Sequence, residues 1–222
     1  MSFHSFGLPH SFIDILEREQ YKNPYPIQQA AIPVILKGRD VLGIAPTGSG
    51  KTASYVLPVL STLNRKKRAK DRQVDVLVLV PTRELAEQVK KVFLLFEKGL
   101  EHSAPTMAVY GGVSINPQMK ALFGISVLVA TPGRLLDLVS SNAVQFDQLQ
   151  TLILDEADKL LNLGFKDEMN QIFALLPKKR QNLLFSATLN EKVEEINQIL
   201  LRDPEVINVA PKEGNLDQIR QL

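Results

Sequence analysis

The chain has 222 residues, 45% of them hydrophobic and 23% charged, which is the composition of a folded domain with a sizeable core and excludes a disordered or fibrous chain. Lys and Arg number 26 against 24 Asp and Glu, so the net charge is +2; any acidic partner is met by local patches, not by a bulk basic field. There is no cysteine, His4, His10 and His102 are scattered, and no apolar run nears the roughly 20 residues of a membrane span, so disulfide scaffolds, thiol nucleophiles, zinc fingers and membrane helices are not expected.

Seven short runs rich in Val, Ile and Leu recur along the chain, at 41–45, 74–80, 106–109, 127–130, 152–154, 183–185 and 206–209. Most are continuous and do not alternate with polar residues, which predicts strands buried on both faces, as in a parallel sheet. Helix-like segments at 84–97, 133–140, 166–176 and 191–201 lie between them. Strands alternating with helices predict an α/β fold with a mostly parallel central sheet flanked by helices. Five of the runs end directly in a polar cluster: at 46–52, 81–84, 131–134, 155–158 and 186–188. Ligands of open parallel sheets bind outside the carboxyl ends of the strands, so these clusters are predicted to share one edge.

The first cluster, Ala45-Pro46-Thr47-Gly48-Ser49-Gly50-Lys51-Thr52, fits the phosphate-loop pattern G-x-x-x-x-G-K-[ST], with Ala45 in place of the first glycine. Small residues let backbone N–H groups curl around phosphate oxygens, and the helix that follows adds its positive end. Lys51 would reach the β- and γ-phosphates and the Thr52 hydroxyl would bind Mg²⁺. A flexible glycine turn competes with this reading. So does a dinucleotide fingerprint over Gly48, Gly50 and Ala53, although it has no use for Lys51 and Thr52. Pro58 is expected to kink or end the helix after the loop. Asp155 and Glu156 stand at the end of the 151–154 run. A strand-end Asp is the hard-oxygen ligand a phosphate-loop site needs for Mg²⁺, and Glu156 could orient or deprotonate a water. An acidic helix N-terminus is the alternative.

Asp155-Glu156-Ala157-Asp158 together with this phosphate loop resembles the N-terminal RecA-like domain of the DEAD-box ATP-dependent RNA helicases, over nearly the whole chain. The resemblance implies a RecA-like phosphate-loop NTPase domain that uses ATP and Mg²⁺. Glu156, Lys51 and Asp155 would be its catalytic residues, Thr52 and Asp155 its metal ligands, and 46–52 its phosphate cradle. Tyr21 and Pro24-Tyr25-Pro26-Ile27-Gln28 are similar to the family's glutamine motif, in which Gln28 hydrogen-bonds the adenine edge. Phe3 stands where the family has an aromatic that stacks on the base. Gln20 replaces the family's usual glycine, and Tyr25 its usual threonine.

Pro81-Thr82-Arg83, Gly111-Gly112 and Thr131-Pro132-Gly133-Arg134 resemble the family's RNA-contact motifs, and Asp158 with Ser186 and Thr188 its coupling residues. Taken singly, each of these motifs also fits a turn and a helix cap. Hydroxyls, glycine amides and helix N-termini bind phosphates without reading sequence. With 6% aromatic residues, backbone contact rather than base stacking is the expected RNA mode. The basic run from Arg65 to Arg72 reads as a solvated loop or an auxiliary RNA contact.

By the same resemblance, residues 1–28 form the glutamine-motif flank and 29–210 the RecA-like ATP-binding domain. Residues 211–222 are read as a linker and the start of a second RecA-like domain, which would complete the ATP site. The expected function is ATP hydrolysis coupled to sequence-independent unwinding or remodelling of RNA, with a cytoplasmic location and no membrane partner. A non-catalytic ATP-dependent RNA clamp and a DNA-directed phosphate-loop ATPase are the alternatives. Glu156 argues against the clamp, which has no need of a water-positioning carboxylate.

Overall fold

The computed structural model describes residues 2–63 and 71–209. The basic run at 65–70 and the linker from 210 onward lie outside them.

All seven apolar runs are strands: β1 (Val41–Ile44), β2 (Val76–Leu79), β3 (Thr106–Val109), β4 (Val127–Ala130), β5 (Thr151–Leu154), β6 (Gln181–Ser186) and β7 (Glu205–Asn208). They form one sheet in the order β3-β4-β2-β5-β6-β1-β7, and every ladder is parallel. The absence of alternation now has its cause. Val41, Val76, Val78, Val127, Val129, Ile153 and Phe185 face one core, and their neighbours Leu42, Leu77, Leu79, Leu128, Leu152, Leu154 and Leu184 face another. Both faces are covered, so both sets must be apolar. The edge strand β7 differs: only Ile207 is buried and Val206 is exposed.

The first core is roofed by α1 (His10–Arg18), α2 (Pro26–Leu36), α3 (Lys51–Thr62) and α4 (Arg83–Glu97). The second is covered by α5 (Ile115–Ala121), α6 (Pro132–Ser140), α7 (Ala157–Asn162), α8 (Lys166–Leu175) and α9 (Glu191–Leu200). In α4, Ala86, Val89, Phe93 and Phe96 recur at helical spacing and are buried, and the Thr82 hydroxyl caps the start by accepting from Leu85 N. Asn190 caps α9 in the same way. Pro58 does not end α3, which runs on to Thr62.

The N-terminal flank is built into the main fold. Phe3, Phe6, Leu8 and Phe12 join the first core, and α2 runs across position 28. Among the described residues, no helix is long and apolar enough to cross a membrane.

Candidate functional site

All strands point the same way, so the loops after them share one edge, and the sheet order sorts them. The loops after β3, β4 and β2 hold 111–112, 131–134 and 81–83. Those after β5, β6 and β1 hold 155–158, 186–188 and 45–52.

A cleft of about 850 Å³ opens at the β1 and β5 ends. Its floor is Thr47, Gly48, Gly50, Lys51 and Thr52 with Asp155 and Glu156. Its far end is Glu19, Gln20, Tyr21, Lys22, Asn23 and Tyr25, and Leu85, Gln88 and Val92 of α4 form a wall. The phosphate loop turns through two left-handed glycines, Gly48 (φ 80°) and Gly50 (φ 88°). Gly50 has a second reason to be glycine: a Cβ there would lie 2.5 Å from Gln28 Nε2 and 2.9 Å from the Tyr25 ring.

Gln28 is fully buried. Its Nε2 donates to Gly50 O (3.1 Å) and its Oε1 accepts from Tyr25 N (2.9 Å), so the glutamine motif is tied directly to the phosphate loop. Tyr21 lines the cleft as expected. Phe3 does not. It is 4% exposed, its ring stands edge-on to Phe6 at 6.0 Å, and it is packed in the first core, so no face of it is open to a base. The aromatic rings that do reach the cleft are Tyr21 and Tyr25.

Lys51 Nζ donates to the carbonyls of Ala45 and Pro46. Burial lowers its pKa, and the nearby Asp155, Glu156 and Asp158 carboxylates oppose that shift. Asp155 is buried. Its Oδ2 accepts from the Tyr55 hydroxyl (2.7 Å) and its Oδ1 from Glu156 N (2.9 Å). Burial raises its pKa, against the Tyr55 hydrogen bond and the Lys51 charge. Tyr55 belongs to the site but carries no motif signal; it is simply the next turn of α3 beneath the loop. Glu156 holds a left-handed conformation (φ 52°) at the start of α7, and its carboxylate pairs with Lys159 Nζ at 2.9 Å. Strain on a non-glycine residue beside a cleft marks functional sites.

Asp158, Ser186 and Thr188 are brought together. Asp158 N donates to Ser186 Oγ (3.3 Å), and Thr188 Oγ1 donates to Asp158 Oδ2 (3.0 Å). Of the residues that resemble RNA-contact motifs, Arg83, Gly111 and Gly112 are exposed. Thr82 is half-buried, Thr131 and Gly133 begin α6, and Pro81 and Pro132 are buried beneath them. Arg134 departs from expectation. It is 9% exposed, with Nη2 donating to Val113 O (2.8 Å) and Nε 3.5 Å from Asp137, so it braces a neighbouring loop from inside.

The donor set can be tested for fit to ATP and Mg²⁺. Thr52 and Asp155 offer hard oxygens, and Lys51 offers a cation. The Ser49 hydroxyl is buried in the phosphate loop with no hydrogen-bond partner among the described residues. These suit a phosphate chain with a small divalent cation. A parallel α/β sheet whose first strand leads through a glycine-rich G-K-T turn into a helix, and whose β5 end carries a buried Asp and a Glu, is that of a phosphate-loop NTPase.

Comparison with known proteins narrows this class. The model of the DEAD/DEAH box helicase family matches residues 25–196, and the chain belongs to that family. It is 40% identical over all 222 residues to a DEAD-box ATP-dependent RNA helicase CshA of Streptococcus pneumoniae, covering 41% of that protein. It is 41% identical, again over 222 residues, to an ATP-dependent RNA helicase DeaD of Buchnera aphidicola, covering 36% of it. The crystal structure of a DEAD box protein from the hyperthermophile Methanococcus jannaschii superposes with a TM-score of 0.85 at 30% identity, over 94% of this chain and 56% of that one. The chain thus spans about two fifths of the length of the curated relatives it matches.

Proposed function

We propose that this chain is the ATP- and RNA-binding sector of an ATP-dependent RNA helicase, in which ATP hydrolysis drives sequence-independent unwinding or remodelling of RNA in the cytoplasm. The observation that supports this best is the convergence of Lys51, Thr52, Asp155 and Glu156 on one cleft, with Asp158 hydrogen-bonded to Ser186 and Thr188 beside it.

In this reading Lys51 exchanges its two loop carbonyls for phosphate oxygens, and backbone N–H groups of 48–52 cradle the rest. Thr52 and Asp155 would hold Mg²⁺, which would supply charge neutralisation to the phosphate chain. Glu156 orients the attacking water and accepts its proton as the bond between the γ-phosphorus and the bridging oxygen breaks. Tyr21 and Tyr25 take the base in place of the buried Phe3, and Gln28 reads its edge after giving up Gly50 O. A second RecA-like domain supplies the arginines that complete the site. Such a finger is worth roughly 10³–10⁵ in rate in related NTPases, so this chain alone hydrolyses ATP slowly. RNA lies across the ends of β3, β4 and β2, held by its phosphates.

Calorimetric titration with ADP and GDP in Mg²⁺, on the wild type and on Gln28→Ala, tests the nucleotide half. ADP is expected to bind in preference to GDP, and the variant to lose that preference. Equal binding of the two nucleotides to the wild type would overturn the adenine assignment and leave a general phosphate-loop NTPase.

A further inference from the structure

We propose that Tyr110 and Gln118 are positioning residues that hold the loop after β3 and the Arg83 side chain in an RNA-ready arrangement; this rests on the RNA reading above. β3 is an edge strand, so past Val109 one side of the backbone has no neighbouring strand. Gln118 of α5 takes that place. It is 8% exposed, its Oε1 accepts from Tyr110 N (3.2 Å) and its Nε2 donates to Tyr110 O (3.3 Å), so one amide engages both backbone groups of a single residue. A buried side chain used this way fixes where the exposed Gly111-Gly112 turn begins.

The Tyr110 side chain reaches the other way, to α4. Its hydroxyl donates to Glu87 Oε1 (3.0 Å), and the Arg83 guanidinium sits over its ring at 4.9 Å. Arg83 and Glu87 are one helical turn apart, so a single tyrosine spans both. Arg83 is exposed and has no carboxylate partner among the described residues, yet its rotamers are restricted by the ring. Restriction in the free protein lowers the entropy lost on binding a phosphate. Arg134 closes the arrangement from the β4 side through Val113 O. The loops after β2, β3 and β4 are thereby joined at the β3 loop.

The glycines point outward. Gly111 does not have a positive φ, and a Cβ on it would meet nothing within 4 Å. Nothing within the fold requires glycine there, whereas close approach of a ligand backbone would.

The test is binding of fluorescein-labelled decauridylate to the 222-residue chain at low salt, by anisotropy. Arg83→Ala should weaken binding and reduce the slope of log affinity against log salt by about one. Tyr110→Ala should weaken it about two- to fivefold, the range of an exposed cation–π contact, and Tyr110→Phe, which keeps the ring, should restore it. Because Tyr110 acts through Arg83, adding Tyr110→Ala to Arg83→Ala should cost under about twofold more. Gln118→Ala should weaken binding in either background. ADP affinity should be unchanged in every variant. Wild-type-like RNA binding by Tyr110→Ala and Gln118→Ala would overturn the inference and leave the RNA reading standing. Should Gln118→Ala fail to fold, the Tyr110→Ala and Tyr110→Phe pair decides. No RNA binding by the wild type, or no effect of Arg83→Ala, would overturn the RNA reading and this inference with it.

Discussion

Gln20 shows how one side chain can work against its own backbone. It lines the cleft with φ 62°, a left-handed conformation that costs an ordinary residue about 1 kcal/mol more than glycine. Gln20→Gly should therefore raise the melting temperature by about 2–4 °C in a domain of this size, as read by thermal unfolding; a fall would show that the amide makes a stabilising contact. Asp155 raises a second conflict, this time of charge. Burial lifts its pKa, so the native state binds a proton more readily than the unfolded chain. Stability from this group is then fully present below its ordinary value of 3.8 and declines as pH rises through the lifted one. Lys51 and Tyr55 offset part of that cost, and Glu156 adds to it. Asp155→Asn keeps an oxygen for Glu156 N and offers an N–H to the Tyr55 oxygen. It should melt a few degrees higher at neutral pH, with the gain shrinking toward pH 4, while Mg²⁺-dependent ATP hydrolysis is lost. A lower melting point at neutral pH would mean that the Lys51 attraction outweighs desolvation. The place of the 46–52 turn and of Asp155 and Glu156 in one cleft was legible because both follow aliphatic strands of a parallel sheet, and the turn needs glycine at φ 80° and 88°. Phe3 and Arg134 were not, because a motif names the residue and burial decides which way it faces.

Elements followed the same logic. The expected strands agree with the observed ones to within two residues at each end, since a continuous aliphatic run between two covered faces has few other uses. Helices α1, α2 and α5 have no counterpart among the helix-like segments, and α7 stands there only as the alternative reading of the acidic cluster. α7 is six residues long and α5 seven, too short for a periodic pattern, and α2 carries Pro26 and Pro33 yet is held by apolar burial against the first core. The site's geometry depends on a detail of β1 that no pattern reveals. Gly43 pairs with Phe185 of β6, and a Cβ at Gly43 would lie 2.6 Å from that ring. The Phe185 ring also packs on Tyr55, 5.3 Å away between centroids, and Tyr55 holds Asp155. Gly43→Ala should thus cost about 1–3 kcal/mol by overpacking, seen as a lower urea midpoint with an unchanged slope. It should also weaken Mg-ADP binding through Asp155. An unchanged midpoint would mean that Phe185 has room to turn.

Across the whole molecule, the sheet order divides the shared edge into two neighbouring halves. The loops proposed to contact RNA follow β3, β4 and β2; those proposed to hold nucleotide follow β5, β6 and β1. The halves meet where β2 pairs with β5, and α4 touches both, with Arg83 on one side and Leu85, Gln88 and Val92 on the other. Two half-sites on different strand ends can be emptied separately. Lys51→Ala should abolish ADP binding and leave decauridylate affinity within about twofold, because counterion release depends on local phosphate contacts and not on net charge. Arg83→Ala should do the reverse. Asp158, Ser186 and Thr188 bond to one another without lining the cleft, so Thr188→Ala should leave each ligand's separate affinity unchanged and alter only the effect of one ligand on the other. Such an effect must be reciprocal: the factor by which RNA changes ADP affinity equals the factor by which ADP changes RNA affinity. The factor should move toward one in Thr188→Ala with both separate affinities kept; an unchanged factor would remove Thr188 from the coupling. If Lys51→Ala weakened RNA as much as ADP, the edge would act as one continuous anion site, and the sorting imposed by strand order would have no functional meaning.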